Sequence, residues 1–112
     1  MRVNGLCEVM LDTLHWSGGN TSLDAIACAL PLVSLPGRFM RGRQSAGMLA
    51  LLGLEELVVA DEAGYVEVAL RLGTDARYNA SVRERLAARR GRLFGDRAPI
   101  RALEQALLEL TA

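Results

Sequence analysis

The sequence predicts an α/β fold, in which helices cover a Rossmann-like parallel sheet. Short apolar runs alternate along the chain with longer segments whose apolar residues recur at helical spacing. The connections between successive apolar runs are long enough for helical crossovers, which parallel strands require. The 112 residues therefore read as strand, helix, strand, helix, strand and then helices. Because a doubly wound domain normally has more than three strands, we expect this chain to be one portion of a larger domain.

The first strand, loop and helix are predicted from residues 6–31. The run LCEVMLD (residues 6–12) is mainly apolar and predicts a strand buried on both faces. A loop follows over residues 13–20, and apolar residues then recur at helical spacing from Thr21. Pro31 disfavours a helical conformation in the residue before it, so this helix should stop by about residue 30.

Two more strands and a longer helix follow. The run PLVSLPG (residues 31–37) predicts the second strand, and a helix is expected from about Phe39 to Leu52. Gly53 stands where a left-handed residue commonly ends a helix. The run EELVVAD (residues 55–61) predicts the third strand.

The last third of the chain is predicted to be helical. Asp61 and Asp75 are suitable N-caps for two helices, the second of which reaches Arg90 or Gly91. Pro99 opens a final amphipathic helix that runs through Leu110. In an isolated chain the apolar face of this helix would be partly uncovered, which predicts self-association.

The composition disfavours several classes of partner. Thirteen basic and thirteen acidic residues give a net charge of zero, so no overall field attracts nucleic acid or an anionic membrane. Aromatic residues make up 4% of the chain, too few for a platform on which bases stack. We therefore expect neither a nucleic-acid nor a membrane partner.

Residue types also limit the chemistry and the compartment. All thirteen basic residues are Arg, which excludes a Lys Schiff base within this chain. Cys7 and Cys28 lack a second Cys pair or a His cluster, so we expect no metal site and predict buried thiols in a reducing compartment. The first residues lack the pattern of a signal peptide, and no apolar run approaches the roughly 20 residues that span a bilayer. The expectation is a soluble cytoplasmic protein.

The segment HWSGGNTSLDA (residues 15–25) is the strongest candidate for a ligand site. In open α/β sheets, ligands bind at the carboxyl ends of strands. Gly18 and Gly19 let the backbone approach a ligand closely, and the amides at the helix start favour a phosphate. Thr21 and Ser22 add hydroxyl groups, and Asp24 could accept hydrogen bonds from ribose. The same residues also match a capping box, Thr21-x-x-Asp24, so the pattern alone leaves both interpretations open.

Four residues near this segment are secondary candidates. His15 is the sole His and could act as a general base, but no partner constellation is visible, which favours a role in loop packing. Trp16 either borders a sugar or base or shields the loop. Arg38 and Arg41 lie at the start of the second predicted helix, where basic residues oppose the helix dipole, so either a local anion or solvent would accompany them.

The joined pattern of LDT, GGNTS with LDA, LPLVSLPG and RGR resembles the protein O-GlcNAc transferases, also called the SPINDLY family, or glycosyltransferase family 41. The similarity spans residues 11–49 and continues through LGLEELVVADEAGYVEVALRLGTD to RLFGDRAPIRALE. This resemblance implies the later part of the UDP-sugar-binding lobe of a two-lobed, GT-B type enzyme. It also implies that residues 1–112 form one carboxyl-terminal part of that catalytic domain.

The resemblance assigns roles to particular positions. The family transfers N-acetylglucosamine from UDP-N-acetylglucosamine, its donor substrate, to Ser or Thr hydroxyls of proteins, and no cofactor is expected. Its diphosphate contacts fall on Asn20 and Thr21, with Gly19 beside them, and its ribose-binding carboxylate falls on Asp24. Animal members have a His where this chain has Gly19, which puts a side-chain contact there in doubt.

The family's other parts lie outside this sequence. Members carry a second lobe, a phosphate-contacting Lys, residues that hold uracil and usually a tetratricopeptide array that binds acceptor proteins. We therefore expect an acceptor protein to bind through a missing lobe or repeat array, and the isolated chain to be inactive. The alternative is a non-enzymatic α/β module that mediates association.

Overall fold

A short parallel sheet lies at the centre of the fold. A computed structural model describes residues 3–111. Strand β1 (Met10–Leu11) pairs in parallel with β2 (Leu32–Val33), with Met10 opposite Leu32 and Leu11 opposite Val33. The backbone N–H groups of Met10 and Asp12 donate to the carbonyls of Pro31 and Val33 at 2.8 and 3.0 Å. The predicted parallel sheet with helical crossovers is confirmed.

The predicted third strand is reduced to one bridging position. Ser34 pairs in parallel with Val58: its N–H donates to the carbonyl of Leu57, and its carbonyl accepts from the N–H of Val59, both at 2.9 Å. The prediction of a strand over residues 55–61 was therefore too long. The exposed Glu55 begins a 3₁₀ turn, Glu55–Leu57, which keeps its carboxylate in water and leaves only the following residues in reach of the sheet.

The prediction that the first strand is buried on both faces was wrong. Both residues of β2 are buried, but Leu11 of β1 is 53% exposed. β2 lies in the middle, because Pro31 and Val33 bond to β1 while Ser34 bonds to residues 57–59. β1 is thus the outer strand, and the packing that covers β2 does not extend over Leu11.

The helices begin close to the predicted positions, with one break. The predicted helix from Phe39 to Leu52 divides into a 3₁₀ turn, Met40–Gly42, and the helix α2, because the backbone leaves helical geometry at Arg43 (φ −124°). Gly53 has φ +70° and confirms the left-handed end of that helix. The α-helices of residues 3–111 are α1 (Asn20–Ala27), α2 (Gln44–Leu51), α3 (Glu62–Thr74), α4 (Ala76–Arg89) and α5 (Ala98–Thr111).

Both predicted aspartate caps are confirmed. The carboxylate of Asp61 accepts from the N–H of Gly64 at 2.7 Å, and that of Asp75 accepts from the N–H of Tyr78 at 3.1 Å. Each bond satisfies a donor that the first turn of the helix leaves without an intrahelical partner. The two caps therefore set where α3 and α4 begin.

One apolar core joins β2 to four helices and the loop that follows α2. Its fully buried side chains are Ile26, Leu32, Leu49, Leu52, Leu54, Leu57, Leu72, Val82 and Leu86. α4 also holds the amino-terminal segment, since the Asn79 amide donates to the carbonyl of Glu8 at 2.7 Å and Arg83 donates to that of Cys7 at 2.6 Å. Cys7 and Cys28 are half-buried, so the expected full burial of the thiols was wrong.

The last helix stands apart from this core. α5 begins at Ala98, one residue before Pro99, and all its side chains are exposed. Within residues 3–111, no helix combines the length and apolar character needed to cross a membrane. The functional features described below lie at the carboxyl ends of the strands.

Candidate functional site

Three loops meet at the carboxyl ends of the strands and form two adjoining clefts. His15, in the loop after β1, lines both clefts, and so does Gly37, in the loop after β2. One cleft, of about 330 Å³, is lined by His15, Gly37, Arg38, Phe39, Arg41 and Gly42. The other, of about 370 Å³, extends to Ala60, Asp61 and Glu62 at the start of α3. This is the edge of the sheet at which open α/β folds bind ligands.

The loop between β1 and α1 is held by Ser17. Its hydroxyl accepts from the backbone N–H groups of Gln44 and Ser45 at 3.0 and 3.3 Å, while its own N–H donates to the carbonyl of Arg41 at 2.6 Å. Ser17 therefore satisfies the first amides of α2 from outside that helix, which has no side-chain cap of its own. The loop before α1 and the start of α2 are thereby joined.

Asp12 connects the same loop to the sheet. It is 4% exposed, and its Oδ1 accepts from the N–H of Gly18 while its Oδ2 accepts from the hydroxyl of Ser34, both at 2.8 Å. Its backbone carbonyl accepts from the hydroxyl of Tyr65 at 2.7 Å. Burial raises the pKa of Tyr65, and the negative charge of Asp12 raises it further. A single side chain thus contacts both the loop between β1 and α1 (residues 12–19, called the glycine loop below) and Ser34, the residue that follows β2.

Gly18 has no room for a side chain. A Cβ at this position would lie 2.6 Å from the hydroxyl oxygens of both Thr21 and Ser22. The Ser22 hydroxyl is buried and lies 2.7 Å from that of Ser45, which in turn donates to the Gly18 carbonyl at 3.2 Å. The missing side chain lets the loop pack directly on the first turn of α1.

The first turn of α1 has backbone donors without intrahelical partners, and two of its residues, Asn20 and Thr21, are exposed. Its first intrahelical bond runs from the N–H of Leu23 to the carbonyl of Gly19 at 3.0 Å, so the N–H groups of the three preceding residues lack intrahelical partners. Gly19 is the N-cap and makes no side-chain cap bond. The capping-box alternative was therefore wrong, because Thr21 lies inside the helix, one position after Asn20, instead of preceding it.

The structure separates the predicted site residues into an exposed and a buried set. Asn20, Thr21 and Asp24 are exposed, Gly18 and Gly19 are half-buried, and Ser22 is buried. The buried hydroxyl of Ser22 is already bonded to Ser45. Side-chain groups of the exposed set are thus accessible to a ligand, whereas Ser22 supports the loop from below.

The secondary candidates lie at the rim of the cleft. The Arg41 guanidinium lies over the rings of both Trp16 and Phe39, 5.7 and 5.0 Å from their centroids. Arg38 and His15 are exposed, and His15 has φ +67°. In residues 3–111, no cluster of three or more His, Cys, Asp or Glu side chains is arranged to hold a metal ion.

Sequence reasoning overlooked Asp12, Ser17 and Ser45 as parts of this arrangement. Asp12 had a usable signal, because a carboxylate directly after a buried strand stands at the ligand-binding edge of a parallel sheet. Ser17 and Ser45 had none, since their contact joins residues 28 positions apart. Only the packing of α2 against the loop brings them together.

A parallel sheet with a glycine loop and a helix N-terminus at its carboxyl edge is typical of nucleotide-binding α/β proteins. The sequence model of glycosyl transferase family 41 matches residues 1–98. The chain belongs to this family.

Three similar proteins carry names that agree with this family. The chain is 35% identical over 86 residues to the UDP-N-acetylglucosamine–peptide N-acetylglucosaminyltransferase of Caenorhabditis elegans, a match covering 77% of this chain and 8% of that protein. It is 32% identical over 87 residues to the protein of the same name from Giardia intestinalis, covering 78% of this chain and 6% of that protein. A probable transferase named SPINDLY from Solanum lycopersicum is 31% identical over 75 residues, 67% of this chain and 8% of that protein.

A solved structure confirms the fold class. A Lys-to-Met mutant of the Thermobaculum terrenum O-GlcNAc transferase superimposes with a TM-score of 0.79 and 39% sequence identity. The match covers 89% of this chain and 20% of that one, and the neighbour is a GT-B fold enzyme. The chain therefore spans a fifth of this neighbour and less than a tenth of the curated relatives above.

Proposed function

We propose that this chain is the donor-binding portion of a glycosyltransferase that moves N-acetylglucosamine from UDP-N-acetylglucosamine to Ser or Thr hydroxyls of proteins. The observation that carries the proposal is the glycine loop and open first turn of α1, at the carboxyl edge of the sheet, in a member of family 41. The named relatives are transferases that use this donor on peptides.

The diphosphate of the donor is assigned to the start of α1. The N–H groups of Asn20 and Thr21 have no intrahelical partner, and the helix dipole places a partial positive charge there. The exposed Thr21 hydroxyl adds a donor, and the absence of a side chain at Gly19 leaves only the movable Gln44 side chain, whose Oε1 would lie 3.2 Å from a Cβ there, beside the backbone. Several N–H groups on one anion suit a diphosphate better than an uncharged ligand.

The ribose is assigned to Asp24. Its exposed carboxylate lies on α1 three residues after Thr21, and residues at this spacing are neighbours on a helix surface. A carboxylate accepts hydrogen bonds from a pair of sugar hydroxyls, whereas it would repel a phosphate. Ser22 acts indirectly, by holding the loop through its bond to Ser45.

Sugar transfer requires that the charge on the departing diphosphate be stabilised. Fixed N–H donors at a helix start do this without reorganising during the reaction. Arg38 and Arg41 line the adjacent cleft and are secondary candidates for the same task, with His15 beside them. We assign no general base within this chain, and we propose that a second lobe or a repeat array binds the acceptor protein and completes the active site.

Calorimetric titration of the purified chain with UDP tests the donor site. Thr21→Ala and Asp24→Ala remove exposed groups, so both variants should fold like the parent but bind UDP at least tenfold more weakly. Glu67→Ala, which removes an exposed carboxylate from α3, is the matched control and should bind like the parent. Equal binding by all four chains would contradict the assignment. A folded parent that does not bind UDP would favour the association module described next.

The second candidate function is a non-enzymatic module that associates through α5. Ile100, Leu103, Leu107 and Leu110 follow the 3-4-3 spacing of a coiled-coil seam and are 53–82% exposed. We propose a second copy of the chain as the partner, because such a seam is complementary to itself.

All side chains of α5 are exposed, so nothing within residues 3–111 covers this seam. Because a helix of 14 residues is marginal on its own, we propose weak self-association that depends on protein concentration.

A further inference from the structure

From these contacts we infer that Asp12 is the positioning residue of the donor site, because its buried carboxylate holds the Gly18 loop in the shape that presents the first turn of α1. This inference rests on the proposed function for its ligand. The claim that Asp12 controls the shape of the loop does not depend on which ligand binds there. Asp12 is 4% exposed, so it acts through the loop and not on the donor.

The hydrogen bonds of Asp12 join the loop to the sheet and to α3. Every polar group of this residue has a partner: the N–H donates to Val33, the carbonyl accepts from Tyr65, and the two carboxylate oxygens accept from Gly18 and Ser34. Three of these partners belong to β2, to its following residue and to α3. The fourth, Gly18, is the only one in a loop without regular structure.

The Gly18 amide lies directly before the first turn of α1. Its N–H donates to Oδ1 of Asp12 at 2.8 Å, and α1 begins two residues later, at Asn20. The bond therefore sets the point at which the chain turns from the loop into α1. Without it, the N–H of a half-buried residue would lose its partner, and the loop would be free to rotate about its glycines.

The loop is attached at two places, to α2 and to the sheet. Ser17 and Ser45 attach the loop to α2, whereas Asp12 attaches it to the sheet. Removal of the sheet anchor alone should leave the loop attached to α2 but free to shift relative to the strand ends. We therefore expect ordered first-turn amides to need Asp12 even when the rest of the fold persists.

The test combines amide hydrogen exchange by NMR with UDP titration on the full chain. In Asp12→Ala, exchange of the Gly18 amide and of the Leu23 amide, which donates to the carbonyl of Gly19, should accelerate at least tenfold relative to that of the α4 amides, and UDP affinity should fall at least tenfold. Asp12→Asn should keep both properties within threefold, because its amide oxygen still accepts from Gly18 and its NH₂ group donates to the Ser34 hydroxyl. Tyr65→Phe removes a different hydrogen bond of the same residue and is the structural control.

The outcomes separate positioning from general stability. A folded Asp12→Ala with unchanged loop exchange would overturn the inference, as would a Tyr65→Phe variant that disturbs the loop equally. Loss of UDP binding in a folded Asp12→Asn would also overturn it, since the charge would then matter instead of the hydrogen bond. Should Asp12→Ala fail to fold, Asp12→Glu replaces it, because the extra methylene moves the carboxylate relative to Gly18; parent-like exchange in that variant counts against positioning.

The two readouts also distinguish this inference from the proposed function. If the parent chain does not bind UDP, the proposed function fails, and the exchange measurement still decides whether Asp12 controls the loop. If the parent binds UDP and Asp12→Ala binds it equally well, the donor site stands and the positioning role is rejected.

Discussion

Replacement of Gly18 by alanine should destabilise the fold, and the structure indicates by how much. The new methyl group would lie 2.6 Å from the hydroxyl oxygens of Thr21 and Ser22. Thr21 is exposed and can change its rotamer at little cost. Ser22 is 1% exposed, and a change of its rotamer breaks its hydrogen bond to the fully buried Ser45. Gly18 does not have a left-handed backbone, so the effect is steric.

Two contributions set the magnitude. Leaving a buried hydroxyl without a partner costs about 1–3 kcal/mol, and an overpacked site costs a similar amount. The loss of unfolded-state freedom that accompanies any Gly→Ala change offsets about 0.4–1 kcal/mol of this. We therefore expect a net loss of about 3 kcal/mol in the free energy of unfolding, or a decrease in Tm of about 12 °C for a chain of this size.

Urea and thermal unfolding followed by circular dichroism measure this loss. Gly47→Ala is the matched control, because a Cβ at Gly47 within α2 meets no other atom within 4 Å. Its free energy of unfolding should rise by about 0.5–1 kcal/mol, the usual gain when alanine replaces glycine in a helix. Equal stability of Gly18→Ala and the parent would refute the packing described for the glycine loop.

Three further predictions concern the core, the last helix and the pH dependence. Leu54→Ala, in the buried core, should lower the free energy of unfolding by about 2–5 kcal/mol, whereas Leu70→Ala, which is 61% exposed, should change it by less than about 0.5 kcal/mol in the same urea experiment. If α5 pairs with a second copy through its apolar seam, Leu107→Glu should weaken self-association in analytical ultracentrifugation, whereas Arg101→Glu, on the opposite face of the helix, should leave it unchanged; equal association by Leu107→Glu and the parent argues against the seam. Burial and then Asp12 raise the pKa of Tyr65 above its usual 10.0, so stability should be unaffected below pH 10 and fall as the pH rises through the folded-state pKa. Ultraviolet titration of a variant whose other tyrosine is phenylalanine checks the direction, which a midpoint at or below 10 would contradict.

Local chemistry made most of the secondary structure predictable. Asp61, Asp75 and Gly53 act within one or two helical turns of their own position, and each was placed correctly from its neighbours in sequence. The strands were harder, because a strand is stable only when a partner satisfies its backbone groups. Only a bridge at Val58 is present where the third strand was predicted, although the residues there favour β structure.

The candidate site divides in the same way. Gly19, Thr21 and Asp24 could be proposed from the sequence, since a glycine loop before a helix has a recognisable pattern and the resemblance assigned their roles. Their use as ligand contacts stays a prediction. The supporting contacts could not be proposed, because Asp12 and Ser34 are 22 residues apart and meet only where two parallel strands end side by side.

The sequence by itself determined the class of fold, the starts of α3 and α4 and the family, since all of these depend on periodicity, caps and motifs that are local along the chain. Only the tertiary structure decided that Ser22 is buried beneath the loop, that Ser17 caps α2 and that Asp12 holds Gly18. The physical reason is that a buried polar group must find its partner in space. That partner depends on how the layers pack, and no spacing in the sequence specifies it.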